Sequence, residues 1–209
     1  MKKITIVDYG SGNVLSAQKS FIKIAKDNNI EADVLISKKL NDVKNSTHVV
    51  LPGQGAFSTC MNGLKKTDGL IDELSEFALI KKKPFLGICV GMQMLAEMSE
   101  ENGAHKGLGW IDGQIKLLPG DNLKLPHMGW NLVIPTNSKY NNLISTKNDY
   151  YFVHSYYFEC ADKDNILAET KYGTNFASIV GKENIYGVQF HPEKSSSQGL
   201  NLLKKFIGV

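Results

Sequence analysis

Cys89 is the side chain best suited to nucleophilic chemistry, because glycines stand two residues before it and two residues after it. Gly87 and Gly91 flank it where an apolar run, 85–88, leads into a stretch with helical spacing at 92–98. A sharp strand-to-helix turn leaves no room for side chains at those two positions, and it exposes the central residue. The pattern predicts a nucleophile elbow with Cys89 at its apex, where the backbone N–H of Val90 can stabilise an oxyanion.

A thiolate nucleophile needs a base, and His191 has the surroundings of one. It directly follows a strand-like run, and Glu193 comes two residues later, so an imidazole and a carboxylate leave the end of one strand together. The carboxylate can accept a hydrogen bond from one ring nitrogen and leave the other to exchange a proton with the thiol of Cys89. We therefore expect Cys89, His191 and Glu193 to form a triad.

The first half of the chain alternates short apolar runs with amphipathic helical segments. This alternation predicts a parallel sheet covered by helices on both faces, with functional groups at the carboxyl ends of its strands. The apolar runs are 4–7, 32–36, 49–51 and 85–88, and the helical segments that follow the third run are 57–65 and 69–80.

From about residue 110 onward, strand-like segments follow one another with short turns and little helix. This half is expected to be largely antiparallel, and a final helix over 198–207 is expected to pack back on the sheet. We therefore predict one α/β domain spanning residues 1–209, with a central, mostly parallel sheet and an antiparallel extension in the C-terminal half. The strand-like segments are 111–118, 150–158, 166–172, 176–180 and 185–190.

The composition excludes several classes of function. The 209 residues carry a net charge of +3, and every one of the 24 basic residues is lysine, so the arginine fork that dominates nucleic-acid recognition is missing. No apolar run approaches the ~20 residues of a membrane span, and no signal peptide is evident, so we expect a cytoplasmic protein without membrane contacts. Three widely spaced cysteines suggest neither a metal site nor a disulfide framework, and we expect Cys60 and Cys160 to be structural.

Two motifs together resemble the class I, or triad, glutamine amidotransferases. They are Gly-Ile-Cys-Val-Gly-Met-Gln at 87–93 and Gln-Phe-His-Pro-Glu at 189–193. A third segment, Leu-Pro-Gly-Gln-Gly at 51–55, is similar to the oxyanion strand of that family. The resemblance implies an α/β enzyme without a cofactor that hydrolyses the side-chain amide of glutamine and releases ammonia.

A fourth segment, Pro-His-Met-Gly-Trp-Asn at 126–131, resembles a signature of one family within that class, the glutaminase subunits of imidazole glycerol phosphate synthases of histidine biosynthesis. The resemblance implies a heterodimer with a (β/α)8-barrel cyclase subunit. That partner receives the ammonia and forms imidazole glycerol phosphate and aminoimidazole carboxamide ribonucleotide. Further matching segments are 8–13, 52–57, 151–156 and 191–195.

The same resemblance assigns roles to individual residues beyond the triad. Glutamate suits a substrate ammonium, and in the absence of arginine the substrate carboxylate must rely on backbone N–H groups, hydroxyls or lysine. The implied oxyanion donors are Val90 and the peptide of Gly53 and Gln54; the implied substrate contacts are Gly55, Gln93, Glu101, Ser155 and Tyr156; the implied docking residues are Asn13, Trp130, Tyr151 and Lys194.

Three other functions stay open on the sequence. The same triad serves amidotransferases of other pathways, including those that supply ammonia to sugar-modifying enzymes. A stand-alone cysteine hydrolase or peptidase can use the same elbow, although Gln93 and the glycine-rich segment at 52–55 favour glutamine. A catalytically silent regulatory or binding module would not need an intact Cys89, His191 and Glu193. Ammonia release from glutamine, with and without the cyclase, separates these functions.

Overall fold

The computed structural model describes residues 1–120, 123–136 and 138–209. Thirteen strands of these residues form one continuous sheet. The strands are β1 (Lys2–Val7), β2 (Ala32–Ser37), β3 (His48–Gly53), β4 (Phe85–Cys89), β5 (Met98–Ser99), β6 (His105–Lys106), β7 (Gly113–Leu117), β8 (His127–Pro135), β9 (Asn148–His154), β10 (Tyr156–Cys160), β11 (Ile166–Tyr172), β12 (Thr174–Lys182) and β13 (Ile185–Val188).

The helices cover the parallel half of the sheet and the C-terminus. They are α1 (Val14–Asp27), α2 (Leu40–Lys44), α3 (Phe57–Lys65), α4 (Leu70–Ser75), α5 (Val90–Gln93) and α6 (Ser196–Gly208), and α4 continues as a π-helical turn over Glu76–Ile80. The expected helices at 57–65, 69–80 and 198–207 are therefore confirmed. α6 packs against α1, and both turn an apolar stripe inward, as helical periodicity requires. Among the described residues no helix is long and apolar enough to cross a membrane.

The centre of the sheet is parallel, in the order β2, β1, β3, β4, β13. β3, β4 and β13 are buried along their whole length, which explains their continuous apolar sequences. The carboxyl ends of β1, β3, β4 and β13 lie side by side, and each leads into a segment that the motifs singled out. These segments are 8–13 after β1, 54–55 after β3, 90–93 after β4 and 189–193 after β13.

The C-terminal half forms the expected antiparallel extension, through β12, β10, β7 and, on a branch, β11, β8 and β9. One assignment within it needs correction. The last strand-like segment, 185–190, is expected from the sequence to belong to the antiparallel half, but β13 pairs parallel to β4 on one side and antiparallel to β12 on the other. β13 therefore joins the two halves and brings the residues after it next to the end of β4.

The helix predicted over 92–98 is wrong beyond Gln93. α5 has four residues, and the chain then turns into β5, where Met98 pairs with Gln114 of β7. The N–H of Glu97 donates to the carbonyl of Gly113, so pairing with the sheet overrides the helical spacing of the apolar residues.

The antiparallel half also differs from prediction in two strands. The single strand expected over 150–158 is two strands, because the chain leaves β8 at His154 and joins β7 at Tyr156. Residues 127–135 form β8, a strand that was not predicted from the sequence. Polar and glycine residues interrupt the alternation of β8, which concealed it in the sequence.

Candidate active site

Cys89 lies at the corner between β4 and α5 in the backbone geometry of a nucleophile elbow. Its φ of 54° and ψ of −113° belong to a strained region for a residue with a side chain. The two glycines are needed for close approach: a Cβ on Gly87 would collide with the carbonyl oxygen of Gly91, and one on Gly91 would collide with that of Leu51. The elbow predicted from Gly-Ile-Cys-Val-Gly is therefore present, although the helix behind it is a single turn.

His191 and Glu193 lie in the turn that follows β13. Nδ1 of His191 is 2.9 Å from Oε1 of Glu193, and their side chains are only 5% and 2% exposed. The backbone of the turn is fixed as well: the His191 N–H donates to the Tyr151 carbonyl at 2.9 Å, and the Ser195 hydroxyl donates to the His191 carbonyl at 2.6 Å. These contacts orient the imidazole before any substrate binds.

The electrostatics of the turn favour the imidazolium. Burial by itself lowers the pKa of His191, but interactions with Cys89 and Glu193 outweigh burial and raise the pKa to about 10. Nε2 of His191 is buried and makes no hydrogen bond of normal length within the described residues, which leaves it available for proton exchange with Cys89. The three groups of the predicted triad are thus brought together.

The segment after β3 lies directly against the elbow. Gly53 is the register partner of Cys89, and a Cβ on Gly53 would come within 2.5 Å of the Gly91 nitrogen and 2.8 Å of Val90. Glycine is therefore required at position 53 for the two strands to approach. Gly55 has a φ of +96°, in the region that glycine adopts without strain.

Three side chains outside the predicted active-site residues hold this segment in place. The Tyr9 hydroxyl donates to the Pro52 carbonyl at 2.7 Å, and the Ser11 hydroxyl donates to the Gln54 carbonyl at 2.6 Å. The Cys60 thiol lies 3.5 Å from the same Gln54 carbonyl, which is consistent with its expected structural role. Tyr9 and Ser11 belong to the motif at 8–13. The sequence identified this motif but did not show that its side chains support the segment after β3.

A cavity of about 280 Å³ opens onto Cys89. Its lining includes Gln54, Val90 and every residue that the resemblance assigned to substrate, but neither Glu193 nor Gly53. A larger cavity of about 590 Å³ lies between the segment 143–150 and α6 and contains no triad residue. The residues lining the smaller cavity are Gln54, Gly55, Cys89, Val90, Gln93, Glu101, Pro126, Val153, His154, Ser155, Tyr156 and His191.

Two of the predicted substrate-binding residues, Glu101 and Gln93, also form hydrogen bonds to other groups of the protein. One carboxylate oxygen of Glu101 accepts the N–H of Phe57 at 2.6 Å, so Glu101 caps the start of α3 as well as lining the cavity. The side-chain nitrogen of Gln93 donates to the Tyr156 carbonyl at 3.1 Å and to Oε1 of Gln189 at 3.0 Å. Both Gln93 N–H groups are therefore used, and only its carbonyl oxygen remains for a ligand.

Two buried polar residues of the site were not predicted from the sequence. Gln189 is fully buried and places its side-chain nitrogen 3.8 Å from the sulfur of Cys89. His154 lines the cavity and contacts His127 at 2.9 Å. Gln189 lies in the motif at 189–193, but a single glutamine at the end of a strand carries no local signal of its partner.

The four predicted docking residues lie around the turn of the triad. Trp130 is 54% exposed on β8, opposite Tyr151 of β9, with ring centroids 6.2 Å apart. Lys194 is exposed next to Glu193, and α1, which packs against that turn, begins after Asn13. Asn13 also caps α1 through its side chain, which accepts the Ser16 N–H at 3.3 Å. Tyr151 touches the active site through its backbone.

The described residues contain no cluster of three or more histidine, cysteine, aspartate or glutamate side chains arranged to hold a metal ion. Their cysteines are free thiols, with Cys60 and Cys89 buried and Cys160 partly buried.

Solved structures resemble the fold over nearly its whole length. A crystal structure described as a glutamine amidotransferase covers 99% of this chain and 99% of its own, with a TM-score of 0.72 at 16% identity. A glutamine amidotransferase from Thermotoga maritima covers 94% of this chain and 78% of its own, with a TM-score of 0.61 at 19% identity. At these identities the likeness concerns the fold.

The sequence comparisons are more specific. The family model of class I glutamine amidotransferases matches residues 5–208. Proteins described as imidazole glycerol phosphate synthase subunit HisH are 47% identical in Pelagibacter ubique, covering 99% of each chain, and 44% identical in Rhodospirillum rubrum, covering 98% of each. One from Methanococcus maripaludis, described as HisH 2, is 46% identical and also covers 98% of each chain. The chain therefore belongs to the class I glutamine amidotransferases and, within them, to the family of the HisH subunits of imidazole glycerol phosphate synthase.

Proposed function

We propose that this chain is a glutaminase subunit that hydrolyses glutamine to glutamate and ammonia and passes the ammonia to a (β/α)8-barrel cyclase in histidine biosynthesis. The observation that carries the proposal is the convergence of the elbow cysteine and the buried histidine on one cavity. The same cavity is lined by the residues assigned to substrate. We place the enzyme in the cytoplasm, as a single domain built around one continuous sheet, with glutamine as its small-molecule substrate.

The triad chemistry follows from the geometry. The Cys89 thiolate attacks the side-chain amide carbon of glutamine, and the developing oxyanion accepts hydrogen bonds from the backbone N–H groups of Val90 and Gln54. The protonated His191 gives its proton to the leaving nitrogen, so ammonia departs and a thioester to Cys89 remains. His191 then takes a proton from water, which attacks the thioester; the glutamate product leaves and gives its carboxylic proton to solvent, and the Cys89 thiolate and protonated His191 are restored.

Glu193 acts through His191. It accepts from Nδ1, which keeps Nε2 directed at the sulfur and stabilises the imidazolium that forms in each step. Its side chain is nearly inaccessible and does not line the cavity, so we assign it no contact with glutamine.

The polar wall of the cavity suits the amino-acid end of glutamine. The Glu101 carboxylate can pair with the substrate ammonium, and the free carbonyl oxygen of Gln93 can accept a substrate N–H. With no arginine in the chain, the substrate carboxylate meets the Ser155 hydroxyl and backbone N–H groups near Gly55 and Tyr156. Each of these residues lines the cavity.

The proposed docking surface consists of Asn13, Trp130, Tyr151 and Lys194. A large exposed aromatic such as Trp130 is a common centre of a binding surface, because aromatic rings bury much area at low entropic cost. Tyr151 also accepts the His191 N–H, so a partner seated on this surface would bear directly on the turn that holds the base. We propose that docking adjusts the catalytic turn by this contact.

The test is ammonia release from glutamine by the purified chain, alone and with the cyclase and its nucleotide substrate. Strong stimulation supports both the triad and the partner. Activity without any response to the cyclase keeps the amidotransferase chemistry and refutes the partner. Absence of activity in both conditions refutes the glutaminase.

A Cys89→Ala variant serves as the matched control for this assay. It should abolish ammonia release while leaving the thermal unfolding midpoint and cyclase binding unchanged. Glutamine turnover in a clean Cys89→Ala preparation would contradict the assignment of the nucleophile.

A further inference from the structure

A pair of buried histidines connects β8 to the wall of the cavity. Nδ1 of His127 lies 2.9 Å from Nε2 of His154, and Nδ1 of His154 lies 2.9 Å from the Tyr156 carbonyl oxygen. On the far side, the Asn131 side-chain nitrogen is 3.1 Å from Nε2 of His127 and 3.0 Å from the Lys171 carbonyl. The rings of His127 and Tyr172 stack with centroids 4.1 Å apart.

The donor and acceptor roles along this pair can run in only one direction. A backbone carbonyl only accepts, so the neutral His154 carries its proton on Nδ1 and accepts at Nε2. His127 must then donate through Nδ1 and accept from Asn131 at Nε2. The orientation of the Asn131 amide agrees, because its oxygen accepts the N–H of Leu132 at 2.8 Å. Burial lowers the pKa of His127 to about 4 and of His154 to about 3, so both rings are neutral near pH 7.

The same carbonyl fixes a second set of side chains on the catalytic side. The Tyr156 carbonyl accepts from His154 and also from Gln93, which occupies both of its lone pairs. The other N–H of Gln93 points at the oxygen of Gln189. The Gln189 amide therefore cannot flip without placing two N–H donors against each other, and it presents its nitrogen to the sulfur of Cys89 at 3.8 Å.

We propose that Gln189 is a further catalytic residue, which directs an N–H donor at the Cys89 thiolate, and that Gln93 and His154 are the positioning residues that fix its orientation. An N–H facing the sulfur stabilises the thiolate, whereas the flipped amide would present an oxygen and favour the thiol. Gln189 is fully buried, so water does not replace the donor. The inference rests on the proposed function for its chemical context, but it concerns the state of the thiol and is tested without glutamine.

The experiment measures the rate of Cys89 alkylation by iodoacetamide at pH 7.5, followed by mass spectrometry of the peptide that contains Cys89. Gln189→Met keeps the volume and removes the amide, and we expect it to slow alkylation about threefold to tenfold. The matched control is Gln18→Met, which removes an amide that donates to the Val34 carbonyl far from Cys89, and its alkylation rate should equal that of the unmodified protein. A rate for Gln189→Met within 1.5-fold of this control overturns the proposal.

Two substitutions of His154 test the positioning role and decide the matter if Gln189→Met does not fold. Asparagine can reproduce the Nδ1 donor of histidine, whereas glutamine places its polar group at Nε2 and leaves the Tyr156 carbonyl with one donor fewer. We expect Cys89 in His154→Asn to be alkylated at least threefold faster than in His154→Gln. Equal rates in the two folded variants overturn the proposal. If the unmodified protein releases no ammonia either alone or with the cyclase and its nucleotide substrate, but the alkylation rates differ as expected, the proposed function fails and this inference stands.

Discussion

Replacing Glu193 by glutamine tests the electrostatic role of the triad carboxylate with little change of shape. In the folded protein Oε1 of Glu193 accepts from Nδ1 of His191 at 2.9 Å, and the side chain is 2% exposed. Glu193→Gln keeps an oxygen that can accept the same hydrogen bond but removes the charge. On the proposed mechanism the imidazolium, which forms as Cys89 gives up its proton, loses its closest carboxylate.

The expected loss follows from the pKa of His191. Burial lowers this pKa, and the interactions with Cys89 and Glu193 raise it beyond that effect, from 6.5 to about 10. At about 1.4 kcal/mol for each pKa unit, the net preference for the imidazolium is roughly 5 kcal/mol. If Glu193 supplies half of it, its neutralisation raises the barrier by roughly 2 to 3 kcal/mol, a 30-fold to 150-fold loss of kcat.

The assay is steady-state ammonia release in the presence of the cyclase and its nucleotide. Because Glu193 does not line the cavity, KM should stay within about threefold while kcat falls. The matched control is Glu183→Gln, the same chemical change at an exposed carboxylate 2.8 Å from Lys82. It should leave both constants unchanged, since exposed ion pairs contribute little.

Two results would refute the reasoning. A Glu193→Gln enzyme that keeps a third or more of the kcat would show that the charge does not stabilise the imidazolium during turnover. A rise in KM with an unchanged kcat would instead place Glu193 in contact with glutamine, against its position behind His191.

Three further predictions concern the elbow, the docking surface and a buried histidine. Gly91→Ala places a Cβ against the Leu51 carbonyl and should lower the free energy of unfolding by at least about 3 kcal/mol in urea titrations, whereas Gly208→Ala, with open space around it, should be neutral. Lys194→Ala should weaken cyclase binding about tenfold in calorimetry without changing the unfolding midpoint, and unchanged affinity would remove it from the docking surface. Burial, and then the charge of Lys2, lower the pKa of His48 to about 4, so the unfolded chain takes up this proton near pH 6.5 and the folded chain only near pH 4. As the pH is lowered between these two values, the free energy of unfolding should fall by up to about 1.4 kcal/mol per pH unit. His48→Gln should remove that part of the pH dependence in urea titrations.

The elbow could be predicted because its requirements are local. Backbone contacts within a few residues, and with one neighbouring strand, leave no room for a Cβ on either side of Cys89. Glycine is therefore required at both positions, and this requirement is visible in the sequence. The parallel strands were equally visible, since burial on both faces requires an unbroken apolar run.

β8 was not predicted as a strand because its side chains contribute to both a buried polar cluster and an exposed surface. His127 belongs to the buried histidine pair and Trp130 is exposed, so neither face of the strand shows a simple apolar alternation. The end of α5 was missed for a different reason. The residues after Gln93 keep helical spacing, and only the pairing of Met98 with β7, sixteen residues away in sequence, draws the backbone into a strand.

The juxtaposition of Cys89 with His191 and Gln189 depends on one strand register that no local pattern reveals. β13 leaves the antiparallel half and pairs parallel to β4, with Val188 opposite Ile88. This register sets Gln189 at the level of Cys89 and starts the turn with His191 two residues later. A slip of one residue would place Phe190 at that level and reverse the faces of all side chains on β13. The apolar positions of β13 that secure its register therefore also secure the approach of base to nucleophile, which makes the packing of this strand part of the chemistry of the site.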